Sequence, residues 1–466
     1  MADELEESSV LKEIPASEIL AKIENGEPVE YDHVIIKGNL EVSRLEVPTD
    51  EIGKKIIVSL INIRNSLING ASDFNDAIFG EIVDFNGSQF NGMAEFLGTQ
   101  FNRNVSFAES QFSKEARFAG AQFCEDTTFT HAEFNQFAHF TEAQFIKNTD
   151  FFQTQFDKGS DFDKAKFKGK KTSFNGAEFS KFADFDNAKI ISEQIEFMGV
   201  QFRSGLSFKK ARLSGDKIHF DRAGFGSFVA FNETEFSGKE IFFDGSEFIG
   251  FTDFSNAQFN GDTSFFNVQF IGATTFNESR FDNRLNLNAS SIKHMLFYVS
   301  LGDTSRISLK NSDLAFLEVP WALIKDRLDY DDSAYLALIR NYDNQGKFDD
   351  ADNCKLQYRT KRRKEHLDGL QLALDCTAWW FYGYGVRFYY PLGWLIAIFV
   401  ISAFLYMLGG QAQFPGAFGL SAVILTTTTQ IGSLTGLCWD LSIIERISGW
   451  LLMSTFLVAL AKKTLR

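Results

Sequence analysis

The residues best suited to chemistry lie near the end of the chain, in the run Thr426-Thr427-Thr428-Thr429-Gln430-Ile431-Gly432-Ser433. Hydroxyls and the main-chain carbonyls of an extended stretch are oxygen ligands; a nucleophile with its base is not spelled out here. Such oxygens can replace the water shell of a cation when several chains present them around one axis. The chemistry is therefore ion coordination without bond making. Nothing elsewhere in the sequence reads as an enzyme: it has no nucleophile elbow, no phosphate loop and no metal-ligand spacing. Cys124, Cys354, Cys376 and Cys438 lie far apart and form no C-x-x-C pair, so free thiols in a reducing compartment are expected. No catalytic residue, resident metal or cofactor is expected, only a passing cation.

The surroundings of this run say how it must be held. From Phe388 to Trp439 there is no Asp, Glu, Lys, Arg or His, although charged residues make up 23% of the chain. A gap of that length reads as membrane. Pro391 to Leu408 gives a first span. Leu441 to Ala461 gives a second, with Glu445 and Arg446 near its start, where charge can stay at the interface. Between them, the stretch from about 416 to 433 is too short to cross and too apolar for a water-facing loop. It predicts a re-entrant segment: a short helix from Gly416, then a Thr-rich extended return, tolerated only where its backbone lines a cavity. Gly449 in the second span reads either as an inner-helix hinge or as a close packing point.

Basic residues precede the first span and follow the second, with almost none between, which puts both ends in the cytoplasm. The acidic N-terminus MADELEESSV has no apolar run, so no cleaved signal is visible. Lys361-Arg362-Arg363-Lys364 reads as a solvated helix face or as a juxtamembrane contact to anionic lipid. Trp379, Trp380, Phe381, Tyr382, Tyr384, Phe388, Tyr389 and Tyr390 follow, an aromatic density that fits an interfacial helix.

The order span, half-helix, Thr-Thr-x-x-Gly, span resembles the two-transmembrane potassium-channel pore domain over roughly the last 80 residues. The resemblance implies a selectivity filter at Thr428, Thr429, Gln430, Ile431, Gly432 and Ser433. It also implies a homotetramer around the pore and a monovalent cation, K+, as the permeant ion. The family pattern T-V-G-Y-G is not kept: Gln430 and Ser433 are departures and the Gly-Tyr-Gly pair is missing, which bears on selectivity more than on cation passage.

The rest of the chain is dominated by one repeated choice. Of its 466 residues, 53 are Phe. They recur in alternating steps of five and six, as at Phe74, Phe79, Phe85, Phe90, Phe96, Phe101, Phe107 and Phe112, with Ile190, Leu213 and Leu287 in the same slot. Two residues before each Phe the side chain is small or β-branched, as at Ser88, Ala94, Thr99, Val105 and Ser110. Asn, Asp or Gly often follow, as turn formers. Helical spacing and simple strand alternation are both excluded by this period. One large and one small inward residue followed by a turn make one side of a coil, and four sides close a square that stacks at strand spacing.

This stretch, roughly Ile63 to Ile292, resembles a pentapeptide-repeat right-handed β-helix in a Phe-rich form. About 22 residues per coil give on the order of ten coils and a rod of roughly 50 Å. The fold expected is mainly β: a quadrilateral β-helix, then helices. The expected division is an N-terminal segment with a capping helix (1–32), the β-helix (33–315), a helical linker (316–377) and an interfacial helix with the pore domain (378–466). The capping helix is expected from Ser17 as N-cap to Asn25, with Gly26 as its stop. In the linker, Asn344-Gln345-Gly346 separates two helical patterns. The phrase Tyr342…Gly346-Lys347-Phe348…Ala351 resembles a tetratricopeptide-like hairpin.

A net charge of −15 does not favour nucleic acid as a partner. Lys164, Lys166, Lys168, Lys170 and Lys171 interrupt the acidic stripe that DNA mimicry would need. Two functions follow as expectations. One is a cation channel of the cell membrane with a cytoplasmic β-helix that regulates or scaffolds gating. The other is a membrane-anchored scaffold whose β-helix binds a protein partner without conduction.

Overall fold

The structure, a computed structural model, describes residues 11–427, 434 and 436–464. The chain folds as two units, Met1–Ala337 and Leu338–Arg466.

The first unit is a parallel β-helix of about 14 turns. Short strands, most of two or three residues, form four in-register columns, one for each side of the coil. Residues 22 apart pair directly: Phe90 lies on Phe112 and Phe112 on Phe134. The Phe slot is therefore a physical column. Phe96, Phe118 and Phe140 stack with ring centroids 4.8 and 5.0 Å apart and planes within 4° of parallel. Across the interior, neighbouring columns meet edge to face, as Phe118 does with Phe129 at 5.4 Å and 83°. Offset stacking and edge contacts are the two arrangements that the ring quadrupole favours. Each ring is fully buried and contributes about 2 kcal/mol.

The small slot has its own chemistry. At several of its Ser and Thr positions the hydroxyl donates to the carbonyl of the Phe 25 residues earlier: Thr99 to Phe74 at 2.7 Å, Ser110 to Phe85 at 2.7 Å, Thr154 to Phe129 at 2.8 Å. At alternate corners the second residue after Phe turns left-handed. Gly87, Gly98 and Gly120 do so, and Glu109, His131 and Glu142 adopt the same φ near +58°. His131 is thus an exposed turn residue.

The one-residue slips in the repeat also have a place. Phe145 pairs with Phe167, but Thr149 pairs with Thr172, so one side gains a residue. The next coil gains it too, because Phe167 pairs with Ile190 and Thr172 with Ile195. The extra residue stacks on its own copy, and the columns stay aligned.

The rod is longer than its Phe content suggests. It begins at the strand Lys12–Pro15, paired with Val34–Lys37, ahead of residue 33, and ends at Leu317–Glu318. In the outer coils aliphatic residues fill the slot: Ile36 lies on Ile68, and Ile292 on Leu314. Both ends are closed. Helix α1 (Ala16–Glu24) buries Ala16, Ile19 and Ile23, with Pro15 as its N-cap residue and no side-chain cap bond. The helix thus starts before Ser17, because Pro with its fixed φ suits a helix entrance. Gly26 follows at φ +71°. At the far end α2 (Trp321–Ile324) buries Trp321 and Ile324, and Ile307 exchanges backbone hydrogen bonds with Arg327 and Asp329. Those bonds occupy an edge that would otherwise recruit another strand.

Helices α3 (Asp332–Asn344) and α4 (Phe348–Glu365) are separated at Gly346, which takes φ +70°. The second unit continues with α5 (Gly369–Tyr382), α6 (Tyr389–Leu408), α7 (Gly416–Thr426) and α8 (Leu437–Thr464). Helices α6 and α8 are long and apolar enough to cross a membrane.

Candidate functional site

At about 1.5 Å per residue, α6 with 20 residues is roughly 30 Å long, and α8 with 28 is longer. Helix α7 has 11 residues, roughly half a bilayer core. It is as apolar as its neighbours and packs between them. Tyr406, Ala417 and Ile424 form a fully buried centre, with Leu420, Leu434, Cys438 and Leu441 packed against it. The outward faces of α6 and α8 carry Ile396, Ile401, Phe404, Ile444, Ile447 and Val458, all exposed. The short helix begins at Gly416, where the sequence puts it.

The six expected filter residues, Thr428, Thr429, Gln430, Ile431, Gly432 and Ser433, lie outside the described residues. Thr427 just before them leaves the helix with extended backbone, φ −122° and ψ 156°.

Between the three helices sits Glu445, 1% exposed. Its Oε2 accepts the Tyr406 hydroxyl of α6 at 2.7 Å, and its Oε1 accepts the Ser421 hydroxyl of α7. Ser402 of α6 is a further hydrogen-bond neighbour. The sequence suggests Glu445 at an interface; the structure starts α8 at Leu437 and sets Glu445 eight residues in, among hydroxyls instead of water. Gly449, one turn on, faces the same way. A Cβ there would run into the Leu425 side chain of α7. Ser421 and Leu425 on α7 thus meet Glu445 and Gly449 on α8, both pairs at i,i+4.

The basic run lies in the last turns of α4, with Lys364 exposed and Lys361, Arg362 and Arg363 half-buried. Arg363 is drawn into the α5 side: its guanidinium lies 5.1 Å over the Trp379 ring, and its Nη1 donates to the Tyr384 hydroxyl at 3.3 Å. Arg387 covers Trp379 as well, at 4.9 Å, while Arg359 lies 5.7 Å over Tyr384 and 3.9 Å from Asp375. The Tyr384 hydroxyl donates to Asp375, and burial followed by that carboxylate pushes its ionisation up. Tyr384 itself is left-handed, φ +55°, between Gly383 and Gly385 with the same sign. The Trp394 indole N–H of α6 donates to the Trp380 carbonyl at 2.8 Å, which ties α5 to α6.

Sequence reading missed the Arg359–Asp375–Tyr384 group and the hydroxyls around Glu445. For the second, a signal was present: Ser402, Tyr406, Ser421 and Glu445 are polar residues inside otherwise apolar stretches, where each must find a partner.

Comparison of the chain with protein-family models, curated proteins and solved structures finds no match.

Proposed function

We propose that the chain is the subunit of a cation channel of the cell membrane, four copies sharing one pore, with K+ as the expected permeant ion. In this reading α6 and α8 are the spans, α7 is the pore helix, and 428–433 is the filter. The β-helix and both chain ends lie in the cytoplasm, where the rod biases the gate through α5 and α6. Arg359, Arg363 and Arg387, with Lys361, Arg362 and Lys364 close by in sequence, stand at the lipid surface.

The observation that carries the reading is α7: an apolar half-length helix packed between two helices of spanning length, followed by an extended Thr. A pure anchor has no use for it. One copy cannot enclose a pore, so several are required. The test is K+ flux into vesicles holding the purified full chain. Flux above empty vesicles, lost in Gly432→Pro, is expected. No flux, or flux unchanged by the substitution, rejects the reading.

A second reading keeps the hairpin as an anchor and the rod as a scaffold for a protein partner. It is favoured by an outward apolar patch on the β-helix, where Phe228 and Phe251 stack at 6.2 Å and Ile249 and Ile271 are about half exposed. A monomer after cross-linking, with no flux, would support it.

A further inference from the structure

We propose that Glu445 is the positioning residue of the re-entrant helix: a single carboxylate that ties α7 to α8 and α6 and so fixes where the segment after Thr427 begins. The functional consequence rests on the channel reading, whereas the clamp itself does not.

A charged or polar group inside an apolar bundle stays only if its hydrogen bonds are met, and such groups cluster where function needs them. Glu445 is 1% exposed, and its two oxygens are used by different helices, Oε2 by Tyr406 and Oε1 by Ser421. Removing the carboxylate leaves both hydroxyls to find other acceptors. Tyr406 is fully buried in the α6–α7 core, so its hydroxyl is held beside the gap. The Ser421 hydroxyl has a second acceptor in reach, the Phe399 carbonyl of α6 at 3.1 Å. It has one proton to give. With Glu445 present, Ser421 bonds α8; without it, Ser421 turns to α6, and α7 loses its polar tie to α8.

Gly449 supplies the other half of the placement. Its missing side chain lets Leu425 approach α8 one turn beyond Ser421. A polar tie and a steric notch, each one turn from the other on both helices, fix rotation as well as distance. Tight placement matters here because Thr427, two residues past Leu425, is where the chain leaves the helix. A filter built on loosely held helices would not keep its oxygens within the tolerance that ion discrimination needs.

The experiment uses the full chain in lipid nanodiscs and in vesicles, with Glu445→Ala, Glu445→Gln and Ser421→Ala. Two readouts are taken: amide exchange over 416–427, and the K+-to-Na+ permeability ratio. Glu445→Ala is expected to speed exchange over 416–427 about tenfold, leave the β-helix unchanged and move the permeability ratio. Glu445→Gln keeps an oxygen that accepts from Ser421 and should restore most of both. Adding Ser421→Ala to Glu445→Ala should cost little more than Glu445→Ala alone, since the tie between them is already cut. If Glu445→Ala does not fold, Ser421→Ala carries the same expectation. Unchanged exchange over 416–427 in folded Glu445→Ala or Ser421→Ala overturns the proposal. Absence of flux in the unsubstituted chain overturns only the channel reading, and exchange still decides the clamp.

Discussion

Phe118 shows what one residue contributes to the rod. It is fully buried, stacked on Phe96 and Phe140 and met edge-on by Phe107 and Phe129. Replacing it with Ala opens a hole that the stiff neighbouring coils cannot close. A loss of about 3–5 kcal/mol is expected, read as faster amide exchange in the coils on either side. The opposite sign is expected at Asp184. Burial, with help from the nearby carboxylates of Asp186, Asp161 and Asp163, raises its proton affinity above the ordinary carboxylate range. The folded state then holds that proton more tightly than the unfolded chain does. The stabilisation is present below the unfolded value and is lost as pH rises through the folded one. Asp184→Asn keeps the acceptor for the Asp186 amide, 2.8 Å away. It should raise stability at neutral pH by under about 1 kcal/mol after solvent screening, with the gain fading in acid. A thermal melt series against pH checks both size and direction. At this scale the sequence was readable where one slot repeats. Phe in alternating steps of five and six has one geometric solution, whereas the hydroxyl ladder, whose partners lie 25 residues away, is visible only once the coils are stacked.

Elements obeyed the sequence where a boundary has a local cause and escaped it where the cause is tertiary. Gly346 separates α3 from α4 and Gly416 opens α7, both as their sequence neighbourhood implies. Helix α8 starts at Leu437, before the expected Leu441, because Cys438 and Leu441 pack on the α7 core and carry the helix through Asp440. The extra residue between Phe167 and Thr172 looks like noise in the repeat, yet it is copied in the next coil and so conserves pairing. Gly449 allowed two readings, hinge or packing point. The close approach of Leu425 supports packing directly, while bending is a matter for gating experiments. Gly449→Ala should cost about 1–3 kcal/mol through overpacking. Leu425→Ala in the same chain should recover most of it, whereas a pure hinge defect would not respond to Leu425. Unfolding of the chain in nanodiscs, with and without the second change, distinguishes them.

The whole molecule joins a rod that is rigid by repetition to a hairpin whose chemistry needs company. Within one chain, the rod buries its Phe columns on themselves. In the helical unit, α6 and α8 present broad apolar faces, and α7 has only about half the length that a bilayer core requires. Lipid covers apolar faces, whereas polar backbone placed at mid-depth needs water or other chains. In the proposed channel, copies of this chain converge so that the segment after α7 faces a shared aqueous axis. Thr427→Cys tests it most directly, with currents recorded in planar bilayers before and after Cd2+. A shared pore predicts a K+ current in the unsubstituted chain that ignores Cd2+. In the Cys variant, block should be reversed by a dithiol, because thiolates from neighbouring subunits close on one ion. An unsubstituted chain that passes no current, or a Cys variant whose current Cd2+ leaves untouched, contradicts it.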